Sequence, residues 1–160
     1  MSLFARQTAL PGWGASTQDK VQKAGVRVSG SSLGATSCRD YLDGAGVAAI
    51  GVTEFEILFE RTEASAPRAL LAWGRGLALW SKSEGPCLNC LSLKLGPEGK
   101  DWGILMGSLA ADLVLTALAG LAEWKAGRMI RVEDDGQTKE EWVEATPGCP
   151  ACRGTPSLQR

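Results

Sequence analysis

The chain has 160 residues, 44% hydrophobic and 22% charged, enough to bury one core and too apolar to stay disordered. Seventeen Lys and Arg face eighteen Asp and Glu, and a net charge of −1 excludes a nucleic-acid binder held by phosphate contacts, which needs a basic face. Histidine is absent, which removes Ser-His-Asp and Cys-His nucleophile pairs, His-ligated metals and a His pH switch.

Ser2 to Leu10 reads as a weak helix, broken by Pro11-Gly12-Trp13-Gly14. Ser16 is the predicted N-cap of a short helix through Lys23, ended by Gly25. Val26-Arg27-Val28 alternates like a strand, and Gly30-Ser31-Ser32-Leu33-Gly34 is a loop of small residues. A helix from Ala35 to Gly44 follows, closed by Ala45-Gly46. Val47 to Val52 is a short apolar run, a buried strand that Phe55 to Phe59 extends. Strand, loop, helix and strand make one βαβ unit.

Arg61 to Pro67 is a polar break. Ala69–Trp73 and Leu77–Trp80 then form a hairpin about Gly74-Arg75-Gly76. Gly96-Pro97-Glu98-Gly99 leads into a long apolar helix that stops at Gly127. Met129–Val132 and Trp142–Ala145 flank Asp134-Asp135-Gly136-Gln137, a second hairpin by its Asp-Gly signal. Residues 1–152 read as a single domain, and Arg153 to Arg160 as a flexible C-terminal tail.

The apolar run tests the assumption of a protein in water. From Trp102 to Ala122 Asp112 is the only ionisable residue, and Gly103 and Gly107 have GxxxG spacing, which is long enough to cross a bilayer. An Asp at mid-span opposes insertion by roughly 3 kcal/mol, and both flanks carry mixed charge. A helix buried in a core or a dimer interface is the better expectation. Without a basic-then-apolar start, and with five cysteines, the reducing cytoplasm is the expected compartment.

Cys87-Leu88-Asn89-Cys90 and Cys149-Pro150-Ala151-Cys152 carry the clearest chemistry. A CxxC turn aims two thiolates at one centre, and two such turns complete a tetrahedral zinc site. Fifty-eight residues separate the pairs, so the intervening chain must fold back on itself. Closing the longer loop adds only about 0.6 kcal/mol per doubling of length. Cys87, Cys90, Cys149 and Cys152 are therefore the candidate ligands of one structural zinc. Two disulfides are the alternative in an oxidising compartment, and redox or unpaired thiols a third reading. A redox CxxC opens a helix that acidifies its first thiol, and neither pair precedes an obvious helix start. Cys38, the odd one, reads as a small buried apolar residue.

Ser29-Gly30-Ser31-Ser32-Leu33-Gly34 has the place and length of a dinucleotide-binding loop with most of its glycines gone. Taken with Phe4-Ala5-Arg6-Gln7, Leu10-Pro11-Gly12-Trp13-Gly14, Gln18-Asp19-Lys20-Val21, Tyr41-Leu42, Ala45-Gly46-Val47 and Gly85-Pro86-Cys87-Leu88-Asn89-Cys90, it resembles the ThiF/MoeB/MccB-type adenylyltransferases, relatives of the ubiquitin-activating enzymes. The resemblance implies a truncated Rossmann-like ThiF-type α/β fold with a four-cysteine zinc site and a long apolar helix. It further implies a homodimer paired through the N-terminal segment and that helix, with Gly103, Gly107 and the run to Leu121 supplying the surface.

The departures from the family pattern set the functional expectation. Arg6, which in the family reaches the partner protomer's ATP, is present, whereas Leu3 stands where the family has Arg. Three loop glycines fall on Ser29, Ser31 and Ser32, and the two Asp that hold the ribose fall on Glu54 and Glu56. Between Glu56 and Pro67 there is no room for the family's Asn/Arg/Gln helix, phosphate-binding Lys and magnesium-binding Asp. Adenylation rests on positioning phosphates and neutralising their charge, so neither ATP binding nor AMP transfer is expected.

The family's ligands are peptide tails, and its MccB-like members and natural-product cyclodehydratase partners bind precursor peptides. The expectation is therefore a non-catalytic protein that binds a ribosomally made precursor peptide, like truncated members of crocagin-type pathways. A shortened sheet exposes an edge that invites a peptide strand, and Trp73, Arg75 and Trp80 are the candidate groove residues. The alternatives are a minimal or partner-completed adenylyltransferase and a scaffold for a folded protein.

Overall fold

A computed structural model describes residues 11–47, 53–59, 63–95 and 103–152. The expected helix before Pro11 with its Arg6, the Gly96–Gly99 loop, residues 48–52 of the expected strand and the tail after Cys152 lie outside the described residues.

Ten elements follow in order: α1 (Ala15–Lys23), β1 (Gly25–Ser29), α2 (Leu33–Gly44), β2 (Thr53–Phe59), β3 (Arg68–Trp73), β4 (Gly76–Ser81), α3 (Leu88–Leu95), α4 (Gly103–Leu118), β5 (Arg128–Val132) and β6 (Thr138–Trp142). A 3-10 turn at Pro150–Cys152 comes after them. The strands form one sheet in sequential order. β1, β2 and β3 are parallel, and β3 to β6 are antiparallel neighbours.

Side chains alternate across this sheet, and both faces of its middle are covered. Phe55, Ile57, Leu70, Leu77 and Leu79 meet Ala35, Cys38 and Leu42 of α2 and Met106, Ala110 and Val114 of α4. Leu58, Leu71, Ala78 and Met129 meet Leu91 and Leu95 of α3 on the other face. The result is three layers, with α1, α2 and α4 below the sheet and α3 above it.

α1 begins two residues earlier than expected. Gly14, not Ser16, is its N-cap, and no side chain caps it. The Pro11–Gly14 turn is tied down instead by a buried relay. Trp13 Nε1 donates to Gln18 Oε1 at 2.8 Å, and Gln18 Nε2 donates to the Ala45 carbonyl at 2.8 Å. Gly25 opens β1 rather than closing α1. Ser32 caps α2, its hydroxyl accepting from the Ala35 amide at 3.3 Å.

The long apolar helix is corrected. α4 has 16 residues and ends at Leu118, well short of Gly127. Gly120 adopts φ +73°, and the Leu121 and Ala122 amides return to the Thr116 carbonyl, which closes the helix. No helix among the described residues is long and apolar enough to cross a membrane. The GxxxG pair is used within the chain. A side chain at Gly107 would strike the Gly34 carbonyl and, at 3.0 Å, the Cys38 amide nitrogen, so α2 and α4 touch backbone to backbone. Gly107 is thus buried inside the chain and cannot supply a dimer surface.

Candidate functional site

Each sulfur is carried by a turn. Gly85 at φ +78° and Pro86 deliver Cys87 to the residue before α3, and Cys90 sits in that helix's first turn. The absence of a helix start at the first pair, expected from sequence, is therefore corrected: Leu88 opens α3. The second pair hangs from the Thr146-Pro147-Gly148 turn, where the Cys149 amide donates to the Thr146 carbonyl at 3.0 Å and Gly148 has φ +78°. Gly127, at φ +88°, links the two regions. A side chain there would stand 2.8 Å from the Val143 carbonyl and 3.2 Å from Pro86, so the strand leading to the second pair passes against the first.

All four Sγ atoms lie within 4.8 Å of one another. Cys87 and Cys149 are 3.7 Å apart, and Cys90 and Cys152 are 3.6 Å apart. Sulfurs 2.3 Å from a common centre in a tetrahedron stand about 3.8 Å apart. The cysteines are free thiols, and the quartet can hold a metal ion.

The electrostatics explain what a cation would supply. Burial pushes the Cys90 thiol up, but hydrogen bonding from Thr146 and the neighbouring thiols outweighs it and holds Cys90 at about 6. The Thr146 amide donates to its sulfur at 3.4 Å. At Cys152 a bond from the Cys87 amide favours the thiolate, yet burial and the crowded thiols of Cys87, Cys90 and Cys149 push it up to about 12. Cys90 gives up its proton readily, whereas Cys87 and Cys152 resist. A divalent cation removes that repulsion, and four sulfurs leave no open position for substrate. Cys38 has no such role: it is fully buried, and burial pushes it up to about 12 despite Arg39 nearby.

The loop after β1 lies at the carboxyl ends of β1 and β2, where nucleotide-type sites form. Its remaining glycines make room for protein. A side chain at Gly30 would stand 2.5 Å from the Phe59 carbonyl. One at Gly34 would stand 2.8 Å from the Phe59 ring and 3.1 Å from the Gly103 carbonyl.

Glu54 and Glu56 both lie within β2, before its carboxyl end at Phe59. Glu56 is buried and fully engaged. Its Oε1 accepts from Ser29 Oγ at 2.9 Å, and its Oε2 accepts from the Ser65 amide at 2.8 Å, Ser65 Oγ at 3.0 Å and the Ala66 amide at 3.4 Å. Burial alone would raise this carboxyl, but the four donors win and lower it. Sequence reading missed Ser65, which lies in the polar break and also accepts from Arg27 at 2.9 Å.

Trp73, Arg75 and Trp80 are not brought together. The hairpin carrying them is interior to the sheet, with β2 and β5 as outer neighbours, so it has no free edge. Trp73 pairs with Gly76 and Trp80 with Ala69, which separates the two rings by four strand positions, about 13 Å. Both rings are half-buried on the α3 face. Arg75 makes an ion pair with Asp134 of the next turn.

Comparison with solved structures shows the likeness of the whole arrangement. E. coli MccB, solved with MccA-N7isoAsn, superposes with a TM-score of 0.62 over 95% of this chain and 75% of MccB, at 12% identity. The chain has an MccB-like fold. E. coli MccB with ATP gives a TM-score of 0.57 over 86% of this chain and 69% of that one, at 11% identity. A heterocyclase solved with substrate and cofactor gives 0.60 over 93% of this chain but 27% of the heterocyclase, at 10% identity. No family model and no curated protein matches the sequence. In a doubly wound sheet of order 3-2-1-4-5-6 the first strand is central. Among the described residues β1 has a single neighbour, β2, and stands at the edge.

Proposed function

We propose that this is a non-catalytic peptide-binding protein, a shortened relative of the MccB-type enzymes that recognises a ribosomally made precursor peptide during natural-product maturation. The use made of the loop glycines carries the reading. The backbone approach that would admit phosphates is given over to Phe59 and Gly103, and Glu56 is committed to Ser29, Ser65 and Ala66. A fold like that of MccB with MccA-N7isoAsn, and of a heterocyclase with its substrate, supports a peptide as the ligand. Cys87, Cys90, Cys149 and Cys152 hold zinc in a structural site, and the protein works in the reducing cytoplasm, where its thiols stay available.

The protein forms a homodimer through the outer faces of α2 and α4, where Leu33, Ile104 and Leu105 are exposed. Sedimentation of wild type and of Ile104→Asp tests this: the variant is expected to be monomeric with an unchanged helical spectrum.

Isothermal titration separates binder from enzyme. The zinc-loaded protein should release heat with a precursor peptide from its own genome and none with Mg-ATP. Peptide-dependent exchange of pyrophosphate into ATP would instead favour an adenylyltransferase.

A further inference from the structure

Among the described residues β1 ends the sheet on one side, and α2 runs beside it. Between them lies a groove of about 410 Å³, lined among others by Val26, Val28, Arg39, Leu42, Asp43 and Thr53. Val28 and Gly30 turn their carbonyls toward this open side. The Arg39 guanidinium donates to both, at 3.1 Å to Val28 and 2.5 Å to Gly30. Arg39 therefore supplies the donors that a further strand would supply. Because the N–H and C=O of one strand residue point the same way, the Val26 and Val28 amides also face the groove.

The other edge is built differently. β6 is a short exposed strand whose Lys139, Glu140 and Glu141 are charged, the usual protection against strand addition. β1 instead carries one charge, the exposed Arg27 between Val26 and Val28, and its outward carbonyls are met by the displaceable Arg39 of α2. Arg27 and Arg39 line the groove against the single acid Asp43, so it complements a carboxylate.

We propose that the peptide binds by adding as a strand to the free edge of β1, displacing the Arg39 guanidinium from the Val28 and Gly30 carbonyls onto a carboxylate of the peptide. The inference rests on the peptide-binding reading and names its site. Backbone bonds to Val26 and Val28 give affinity, and the carboxylate at Arg39 fixes register.

The test uses the full zinc-loaded chain, a precursor peptide from its own genome, and overlapping eight-residue pieces of that peptide. Hydrogen exchange should show the Val26 and Val28 amides protected on binding. Arg39→Glu, a change at a half-buried side chain outside both apolar clusters, should weaken binding at least tenfold while circular dichroism shows the fold retained. Methylating alternate backbone nitrogens of the bound piece should do the same with no change to the protein. Protection confined to the Trp73–Trp80 hairpin, or unaltered binding by both Arg39→Glu and the methylated pieces, overturns the β1 site and leaves the peptide-binding reading standing. If wild type binds neither the peptide nor any piece, the functional reading itself falls, and this site with it.

Discussion

Ser29 and Ser32 stand where the family resemblance places glycines, and each holds another part of the chain. Ser29 donates to Glu56, and Ser32 caps α2. Glu56→Gln removes a charged acceptor from four amide and hydroxyl donors, and we expect a loss of about 2 kcal/mol in urea unfolding. The pH dependence has a definite sign. The folded carboxyl sits below its ordinary range, so its contribution is fully present above that range and disappears as pH falls through the folded value. Wild type should lose this increment on acidification, and Glu56→Gln should show a flatter acid limb. At the quartet, Cys90→Ser should lower metal content and melting temperature together, whereas Cys38→Ala should leave metal content unchanged. The quartet was legible in the sequence because ligand spacing is local. The engagement of Glu56 was not, since its partner Ser65 lies across a polar segment with no periodicity to mark it.

At the scale of elements, α2 and α4 meet through glycine backbone. Gly107→Ala forces a methyl group onto the Gly34 carbonyl and should cost about 3 kcal/mol, read as a shift of the denaturant midpoint at constant slope. The same spacing suggested a bilayer or a dimer, and sequence alone could not say that α2 was the partner. α3 was missed because Leu88, Leu91, Leu93 and Leu95 mix helical and alternating spacing in eight residues. The end of α4 was set too late because Leu121 and Trp124 prolong the apolar run after the helix has closed. Trp124 instead turns onto the Phe55 ring, with centroids 4.9 Å apart, and donates to the Trp80 carbonyl at 3.1 Å. β6 was placed four residues late because Thr138–Glu141 is polar and exposed, as an edge strand is. The hairpin at Gly74-Arg75 was legible because its turn chemistry lies within four residues.

For the whole molecule, the sheet order settles which strand has an open side, and no local pattern carries that information. A free edge is expected at the hairpin, yet β3 and β4 are enclosed, and among the described residues β1 is the strand with an open side next to α2. Stripping the metal with a chelator should unfold the chain cooperatively, with circular dichroism and tryptophan fluorescence changing together and zinc restoring both. Loss of metal with an unchanged melting curve would assign the fold's stability to its two apolar clusters alone.

The quartet also constrains the order of events during synthesis. Cys87 and Cys90 are polymerised before α4, β5 and β6, and their partners Cys149 and Cys152 come after all three. A nascent chain thus carries two idle sulfurs until the second pair is made, open to oxidants and to stray metals. Ageing of this protein in a stressed cell should therefore begin with newly made copies, before the mature ones are harmed.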